Sequence, residues 1–304
     1  MRHSSGSREV PSVSDIFALV KRNCLCYFRD KASVFFSLLG VLIVILLYLI
    51  FLKDMLVDSF MNEISDMITR ESVKEFVDAW VMAGILAIVS VTTSAGSLQT
   101  MISDRVSGRD KDTKMTSLSS AKISAAYILS TFLVGQVMSL IAFAIAVGYL
   151  AATGCGMSVI GIMETLLLTI PASLSGAIIV YTLTCRMRSE GAFSGFSTVL
   201  GVLIGFLTGI YMPLGTMAEG MRTIGSMMPA THIAALMRQT LSTDAFDKIM
   251  AGAPPDKYDE IWTMMGYQIE LFGVDFSIAM SIVYVIAVTA AFFGLAVFLT
   301  KRRM

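Results

Sequence analysis

The sequence predicts an all-α membrane protein with six transmembrane helices, an N-terminal amphipathic interfacial helix and an external re-entrant helical hairpin before the last span. Three observations lead to this fold class. The 304 residues are 55% hydrophobic and 15% charged, with a mean hydropathy of +0.74, whereas soluble domains carry about 25% charged residues. Six apolar segments approach or exceed the ~20 residues that a helix needs to cross about 30 Å of hydrocarbon. Basic residues are also spread unevenly between the connections.

The six predicted spans are residues 32–52, 79–102, 123–152, 157–185, 191–212 and 276–300. The first contains no charged residue. The third and fourth are longer than a bilayer requires, which predicts tilt or extension beyond the hydrocarbon core. Pro171 predicts a kink in the fourth, because proline removes one helical hydrogen bond and clashes with the preceding turn. Residues 1–31 then form a cytoplasmic N-terminus, residues 32–304 a transmembrane domain, and residues 213–275 its external segment.

The basic residues predict the orientation in the membrane. If both termini lie on one side, that side holds 16 of the 23 Lys and Arg residues. Cytoplasmic connections carry an excess of Lys and Arg, so both termini are predicted to be cytoplasmic in a multi-pass protein of the cell membrane. The formal net charge of zero therefore conceals a positive inner face and a negative outer face. The composition excludes a disordered chain and a basic nucleic-acid binder.

The segment before the first span predicts an amphipathic helix. Ser12 and Asp15 fit a capping box, and apolar residues follow at helical spacing with Lys21, Arg22 and Arg29 between them. A basic amphipathic helix beside a span is typical of the membrane interface. The alternative is a solvated N-terminal extension.

Two connections carry helical patterns of their own. The outer connection 53–78 places Val57, Phe60, Met61, Ile64, Met67 and Ile68 on one face, which predicts helical extensions of the first two spans. The inner connection 103–122 is polar, rich in charge and contains Gly108. It is long enough for one short helix, and it is either a solvated loop or a docking surface for a cytosolic partner.

Glycines mark two further features. Gly201, Gly205 and Gly209 recur every four residues in the fifth span, a pattern that lets another helix approach closely, within one chain or across a dimer. Residues 217–241 are apolar but interrupted by Gly220, Gly225 and Pro229. They are too broken to span, so a re-entrant or interfacial hairpin buried against protein is predicted. Residues 242–275 are polar and are predicted to lie in water.

The sequence contains few groups suited to catalysis or metal binding. No Gly-Lys dipeptide occurs, so the chain has no phosphate-binding P-loop. The two histidines, His3 and His232, are far apart in the sequence, which excludes the two-histidine zinc protease motif because that motif places them four residues apart on one helix. No catalytic residue is predicted. Cys24 and Cys26 would point about 200° apart on a helix, which favours apolar packing over a metal site; no metal is predicted.

Glu164 is the ionisable residue that interrupts an apolar run, in the fourth span. A carboxylate within a span usually faces the bundle interior or water. One interpretation is a residue of a substrate or proton path. The other is an interfacial carboxylate that reaches outward to water.

The order of these segments resembles the ABC-2 type family of ABC exporter permeases. The resemblance rests on the opening RNCLCYFRDKASVFF, the inner-loop stretch ISDRVSGRDKDTKMTSLSSAKISAAY, the six spans with both ends inside, and the stretch MPLGTMAEGMRTIGSMMPATHIAALMRQTL before the last span. It covers most of the chain.

The resemblance implies a permease that exports a hydrophobic or amphipathic substrate. It implies a second permease, as a homodimer or a heterodimer, and separate P-loop ATPase subunits that bind ATP and Mg, with no cofactor on this chain and no nucleic acid. By position, the ATPase-coupling residues would be Asp104, Arg105, Gly108, Arg109 and Lys111. Lys21, Arg22 and Arg29 would belong to the interfacial helix, and Pro213, Pro229, His232 and Arg238 to an external gate.

Three other functions stay open at this point. An ion-coupled secondary transporter would use Glu164, although no inverted repeat of spans accompanies it. An intramembrane enzyme has no support in the residues present. A non-transporting membrane scaffold has no sequence feature against it.

Overall fold

The computed structural model describes residues 13–63, 69–115, 118–251 and 254–301, and these ranges are mainly helical. The helices are α1 (Val13–Arg29), α2 (Lys31–Leu47), α3 (Lys53–Glu63), α4 (Arg70–Val106), α5 (Arg109–Met115), α6 (Ser120–Ala152), α7 (Val159–Thr184), α8 (Glu190–Leu207), α9 (Glu219–Ser226), α10 (Pro229–Leu241), α11 (Thr243–Ile249), α12 (Pro255–Met264) and α13 (Ile278–Lys301). A π-helical turn (Tyr48–Leu52), a 3-10 turn (Leu214–Thr216) and the strands β1 (Ile269–Leu271) and β2 (Val274–Phe276) complete the fold.

Five of the described helices, α4, α6, α7, α8 and α13, are long and apolar enough to cross a membrane. The first predicted span, 32–52, corresponds to α2 and the π turn, which runs directly into α3. At ~1.5 Å per residue, α2 alone covers about 26 Å and reaches the thickness of the hydrocarbon core only together with the π turn. The predicted helical membrane protein is therefore confirmed, and the count of six spans stays a prediction.

Hydroxyl side chains cap the starts of four long helices. Thr69, Ser119, Ser158 and Ser189 accept hydrogen bonds from backbone N–H groups in the first turns of α4, α6, α7 and α8. Such caps satisfy donors that the helix itself leaves unpaired. The first turns of α4 are polar, so hydropathy places the start of the predicted span at 79. Because Thr69 caps these turns, the helix begins nine residues earlier.

The glycine at the end of α8 terminates the helix. Gly209 has φ +75°, its N–H donates to the Phe206 carbonyl (2.9 Å), and the Ile210 N–H donates to the Gly205 carbonyl (3.1 Å). These two bonds form a Schellman motif, which needs a left-handed residue. The predicted fifth span to residue 212 is thus corrected to an end at Leu207, and Gly209 is not part of a helical packing face.

Helix α4 lies at the centre of the fold. It packs against α2, α3, α6, α7, α8, α10 and α11, and nearly all of its apolar part is buried. The apolar parts of α8 and α13 are mostly exposed, so these two helices offer surfaces to lipid or to a partner protein.

Helices α9 and α10, joined at Met227 and Met228, occupy the segment in which a re-entrant hairpin is predicted, and are called here the α9–α10 hairpin. Its entry into the membrane stays a prediction. All but two of the α10 residues are buried, and α10 packs against α4, α7 and α13. The Thr240 hydroxyl lies 2.7 Å from that of Thr165 on α7, and the His232 ring lies 3.2 Å from the Ser281 hydroxyl on α13. The hairpin is therefore embedded among helices that are themselves candidate spans.

The polar segment 242–275 has a core of its own. Phe246 lies within 5.5 Å, centroid to centroid, of Phe76 on α4 and of three rings from the segment, Tyr258, Trp262 and Tyr267. After α12, β1 and β2 pair antiparallel through a turn at Phe272 and Gly273, both with positive φ, as a type I′ hairpin requires. The two strands are an exception to the predicted all-α fold, and the aromatic residues of the segment pack together on α4. The placement of the segment in water stays a prediction.

The predicted helical face in connection 53–78 is partly described. Val57 and Phe60 on α3 are buried, with Phe60 5.3 Å from the ring of Phe76. The short helix predicted in the inner connection is confirmed as α5. Outside the described residues lie Ser12 of the capping box, His3, the apolar residues Ile64, Met67 and Ile68, and the tail residues Arg302 and Arg303.

Gly161 tests the contact between α7 and α10. A Cβ atom there would overlap the backbone carbonyl oxygen of Thr240, whereas a Cβ at Gly148 on α6 meets nothing within 4 Å. We expect Gly161→Ala to lower the free energy of unfolding by about 1–3 kcal/mol through overpacking, measured by thermal unfolding of the purified protein. The matched variant Gly148→Ala should raise that free energy by up to about 1 kcal/mol through helix propensity. Equal effects of the two substitutions would contradict the tight α7–α10 contact.

Candidate functional site

A buried carboxylate joins three helices at the end of the bundle that carries α1 and α5, called here the α5 end. Asp104, near the end of α4, is 2% exposed. Both of its oxygens lie 2.6 Å from Nη2 of Arg22 on α1, and it accepts a hydrogen bond of 2.8 Å from the Tyr127 hydroxyl on α6. Nε of Arg109, at the start of α5, lies 3.7 Å away. These four residues form the Asp104 cluster.

Arg22 is held by charge as well as by geometry. Partial burial lowers the pKa of its guanidinium, but the hydrogen bond and the charge of Asp104 raise that pKa above its ordinary value overall. The neighbouring side chains on α1 follow the helix period: Val20, Asn23 and Tyr27 are buried, because this face of α1 packs on α6. The cluster therefore fixes α1 against the main bundle.

The structure divides the five predicted coupling residues between the interior and the surface. Asp104 lies inside the bundle, and its coupling role stays a prediction. Arg105 is half-buried and donates to the carbonyls of Thr184 (3.5 Å) and Met187 (3.1 Å) at the end of α7. Gly108, with φ +78°, forms the turn between α4 and α5. Arg109 and Lys111 are exposed.

The predicted interfacial helix is likewise divided. Lys21 and Arg29 are exposed, whereas Arg22 faces Asp104 rather than the membrane interface. Asp30 follows Arg29 and caps α2 by accepting from the N–H groups of Ala32 and Ser33. Asp30 is thus the single residue between α1 and α2, and its side chain caps the start of α2.

A second buried carboxylate lies near the opposite end of α4. Asp78 is 2% exposed. It pairs with Lys53 (2.7 Å), at the start of α3, and accepts hydrogen bonds from the hydroxyls of Tyr48 (2.6 Å) and Tyr149 (3.1 Å). Like Asp104, it joins the N-terminal helices to α4 and α6. This end of the bundle, which also carries the α9–α10 hairpin, is called here the hairpin end.

The four predicted gate residues lie around the hairpin. Arg238 is fully buried, and its guanidinium donates to the carbonyls of Thr208 (3.0 Å), Gly209 (3.1 Å) and Gly266 (3.4 Å). It also lies 4.5 Å from the centroid of the Trp80 ring. Arg238 therefore ties α10 to the end of α8, to the end of α12 and to α4.

The other three gate residues have local roles. The His232 ring bonds to the Ser226 carbonyl (2.9 Å) through Nε2, which makes that nitrogen the donor, since a carbonyl oxygen only accepts. Pro229 occupies the first turn of α10, a position where its missing N–H costs nothing. Pro213 is half-buried and precedes the 3-10 turn.

A polar groove runs between α2, α4 and α8. Its cavity of about 510 Å³ is lined by hydroxyl, amide and small side chains, among them Ser33, Ser37, Thr92, Gln99, Ser194, Ser197, Thr198 and Gly201. The space beside Gly201 is open, since nothing lies within 4 Å of a Cβ built there, whereas Gly205 faces the ring of Tyr211. Of the glycine pattern, Gly205 packs within the chain and Gly201 lies on a free surface.

Glu164 occupies the second turn of α7. It is exposed and lines a cavity between α7, α10 and α13. Within the described ranges, no group of three or more His, Cys, Asp or Glu side chains is placed to hold a metal ion. Cys24 is half-buried and Cys26 exposed, and both are free thiols.

The sequence interpretation missed Asp78, Lys53 and the tyrosines that bind the two buried carboxylates. Asp78 and Asp104 lie just outside the predicted span 79–102. A pair of acids that flanks a span at both ends, with a tyrosine near each end of the next span, is the signal that identifies them.

The Asp104 cluster predicts a difference between buried and exposed ion pairs. Asp104→Asn should lower the free energy of unfolding by about 2–3 kcal/mol, because Arg22 and Tyr127 lose a charged acceptor. Asp58→Asn removes the partner of Arg70 in a pair that is 57% and 48% exposed and should cost less than about 1 kcal/mol. Chemical unfolding of both variants measures this. Equal losses of free energy in Asp104→Asn and Asp58→Asn would contradict the cluster. So would a double variant Asp104→Asn/Arg22→Gln that is no more stable than Asp104→Asn alone.

Comparison with known proteins gives the family. A model of the ABC-2 family transporter protein matches residues 57–298, well over half of the chain. None of the curated proteins matches the chain significantly. The matched region runs from α3 into α13. It therefore contains the buried Asp78 and Asp104, helix α5 and the α9–α10 hairpin. The chain belongs to the ABC-2 family of transporter proteins and is a multi-pass membrane permease of an ABC transporter.

Proposed function

We propose that this permease is the transmembrane subunit of an ATP-driven exporter that moves a hydrophobic or amphipathic substrate out of the cell. The family match over residues 57–298 carries the proposal. ATP and Mg would bind to a separate P-loop ATPase, since this sequence contains no Gly-Lys dipeptide and hence no P-loop. An ion-coupled transporter would need a partner for Glu164, and the described residues supply none.

The proposed topology has six spans, with both termini in the cytoplasm and the protein in the plasma membrane. Two features support it. The excess of Lys and Arg lies at the α5 end, as the positive-inside rule requires of a cytoplasmic face. Asp78 and Asp104 are also separated by about 39 Å along α4, at ~1.5 Å per residue, so that both fall outside a hydrocarbon core of about 30 Å.

The ATPase would dock at the α5 end. Arg109 and Lys111 on α5 are exposed and give the docking surface its positive charge. Arg109 also lies beside Asp104, which holds Arg22 of α1 and belongs to α4. Movement of α5 on ATPase closure would therefore reach α1 and α4 through one carboxylate.

The α9–α10 hairpin would act as the external gate and enter the membrane from outside. Its support is its set of contacts with the ends of three candidate spans. Arg238, Thr240 and His232 meet Trp80, Thr165 and Ser281, which belong to helices that are long and apolar enough to span.

The polar groove between α2, α4 and α8 would lie at the contact with a second permease, either another copy or a paralogue. Hydroxyl and amide groups facing hydrocarbon are costly, and a second chain would cover them while leaving a polar route between the two. Ser197 Oγ, on the α8 wall, is buried and has no hydrogen-bond partner among the described residues.

Reconstitution tests the exporter and its docking surface. Transport by proteoliposomes should require both the ATPase subunit and ATP, and the double variant Arg109→Glu/Lys111→Glu should reduce ATPase copurification about tenfold or more, because it reverses the charge of the docking surface. Lys257→Glu, a single charge reversal on α12 at the hairpin end, is the control and should leave copurification unchanged. Transport without ATP or the ATPase would contradict the exporter, and undiminished copurification would contradict docking at α5.

Gly201→Phe tests the contact between permeases. The space beside Gly201 is open in one chain, so the variant should fold normally but lose dimers in cross-linking and light-scattering measurements. Gly294 on α13 is also exposed with nothing within 4 Å of a Cβ, and Gly294→Phe should leave the dimer intact. Dimers of equal yield in both variants would contradict an interface at the polar groove.

A further inference from the structure

A groove between α7, α10 and α13 combines apolar walls with a small set of oxygen acceptors. Its cavity of about 540 Å³ is walled mainly by Leu, Ile, Val and Pro side chains, and its polar members are Glu164, Gln239 and Thr240. The walls include Leu167 and Ile282, which are 61% and 42% exposed, so the groove is open towards the surroundings of the bundle. It lies at the hairpin end, away from the polar groove at α8.

The polar side chains of the groove differ in which of their hydrogen-bonding atoms are already paired. Glu164 is exposed and, within the part of the chain that the structure describes, forms no hydrogen bond or ion pair. Gln239 donates through Nε2 to the Tyr267 carbonyl, while its Oε1 is buried and has no hydrogen-bond partner among the described residues. The Thr240 hydroxyl is already engaged by Met237 and Thr165. Because the Gln239 oxygen is closed off from the groove, the free polar group that the groove presents to a ligand is the carboxylate of Glu164.

A carboxylate accepts hydrogen bonds, and among the described residues no Lys, Arg or His side chain lines the groove. A ligand that satisfies this carboxylate must donate N–H or O–H groups and carry positive charge, because a charge-assisted pair is stronger than a neutral hydrogen bond. Its remaining surface must be apolar to match the aliphatic walls.

We propose that this groove binds an amphipathic amine, with its ammonium group at Glu164 and its apolar body along α7, α10 and α13. The ligand is a single cationic amphiphile rather than an ethanolamine phospholipid of the bilayer. A phospholipid would bring its phosphate close to Glu164, and no cationic side chain lines the groove to compensate for that repulsion.

The inference extends the proposed function by giving a class of substrate, and it rests on that function only in calling the ligand a substrate. Binding at this groove needs neither ATP nor the ATPase. Failure of binding would leave the exporter proposal intact, and failure of ATP-dependent transport would leave the binding site intact.

The experiment measures equilibrium binding to the full-length protein in phosphatidylcholine nanodiscs, with empty nanodiscs subtracted. Three fluorescent probes share a dansyl group and an undecyl chain and end in an ammonium, a hydroxyl or a carboxylate. We expect the ammonium probe to bind most tightly and the carboxylate probe most weakly. Glu164→Gln should lower the affinity for the ammonium probe about tenfold and leave the hydroxyl probe unchanged.

Two further variants separate charge from shape. Glu260→Gln removes an exposed carboxylate on α12, outside the groove, and should change no affinity. Ile282→Trp fills the groove and should weaken all three probes. Unchanged ammonium binding in Glu164→Gln, or equal losses for the ammonium and hydroxyl probes, would overturn the amine assignment. A marked loss of ammonium binding when phosphatidylethanolamine replaces part of the phosphatidylcholine would instead assign the groove to a lipid headgroup and overturn the proposal.

Discussion

The buried carboxylates of α4 set the arrangement of the whole bundle. Asp104 and Asp78 are each 2% exposed, and an unpaired charge at such a site costs several kcal/mol. Each therefore needs a cation, and both cations come from the N-terminal helices: Arg22 for Asp104 and Lys53 for Asp78. Each also takes a tyrosine from α6. The N-terminal helices, α4 and α6 are consequently fixed to one another at two levels, one near each end of α4.

This arrangement makes α4 the connection between the two ends of the protein. At the α5 end it contributes Asp104, beside the exposed Arg109. At the hairpin end it contributes Trp80, whose Nε1 donates to the Met265 carbonyl (2.9 Å) and whose ring stacks with Arg238 of α10. Since α4 is one uninterrupted helix from Arg70 to Val106, a displacement at the proposed docking surface would reach the proposed gate through a rigid element. No separate relay of side chains is needed in the proposed exporter.

Those parts of the fold that depend on local sequence could be predicted, and those that depend on pairing could not. Apolar runs indicated the long helices, and polarity with one glycine indicated α5. Hydropathy leaves out Asp78 and Asp104, because both lie just beyond the apolar run of α4. Their cations are separated from them by 25 and 82 residues, and no local pattern gives such a pairing. Similarly, Gly209 fits a four-residue repeat, but only its left-handed backbone shows that it ends α8.

Two arginines, one at each end of the bundle, are held in physically different ways. At the α5 end Arg22 is paired with a carboxylate, and separating them would leave Asp104 as an uncompensated buried charge. At the hairpin end, which also contains the Lys53–Asp78 pair, Arg238 is bound by carbonyl oxygens, two of them at the C-terminus of α8, where the helix dipole favours a cation. Among the described residues its Nε has no hydrogen-bond partner. If α10 moved outward, water would replace these neutral acceptors and hydrate the guanidinium, leaving no charge stranded. Displacing α10 from the end of α8 would therefore cost less than separating Arg22 from Asp104, which fits the proposed gate.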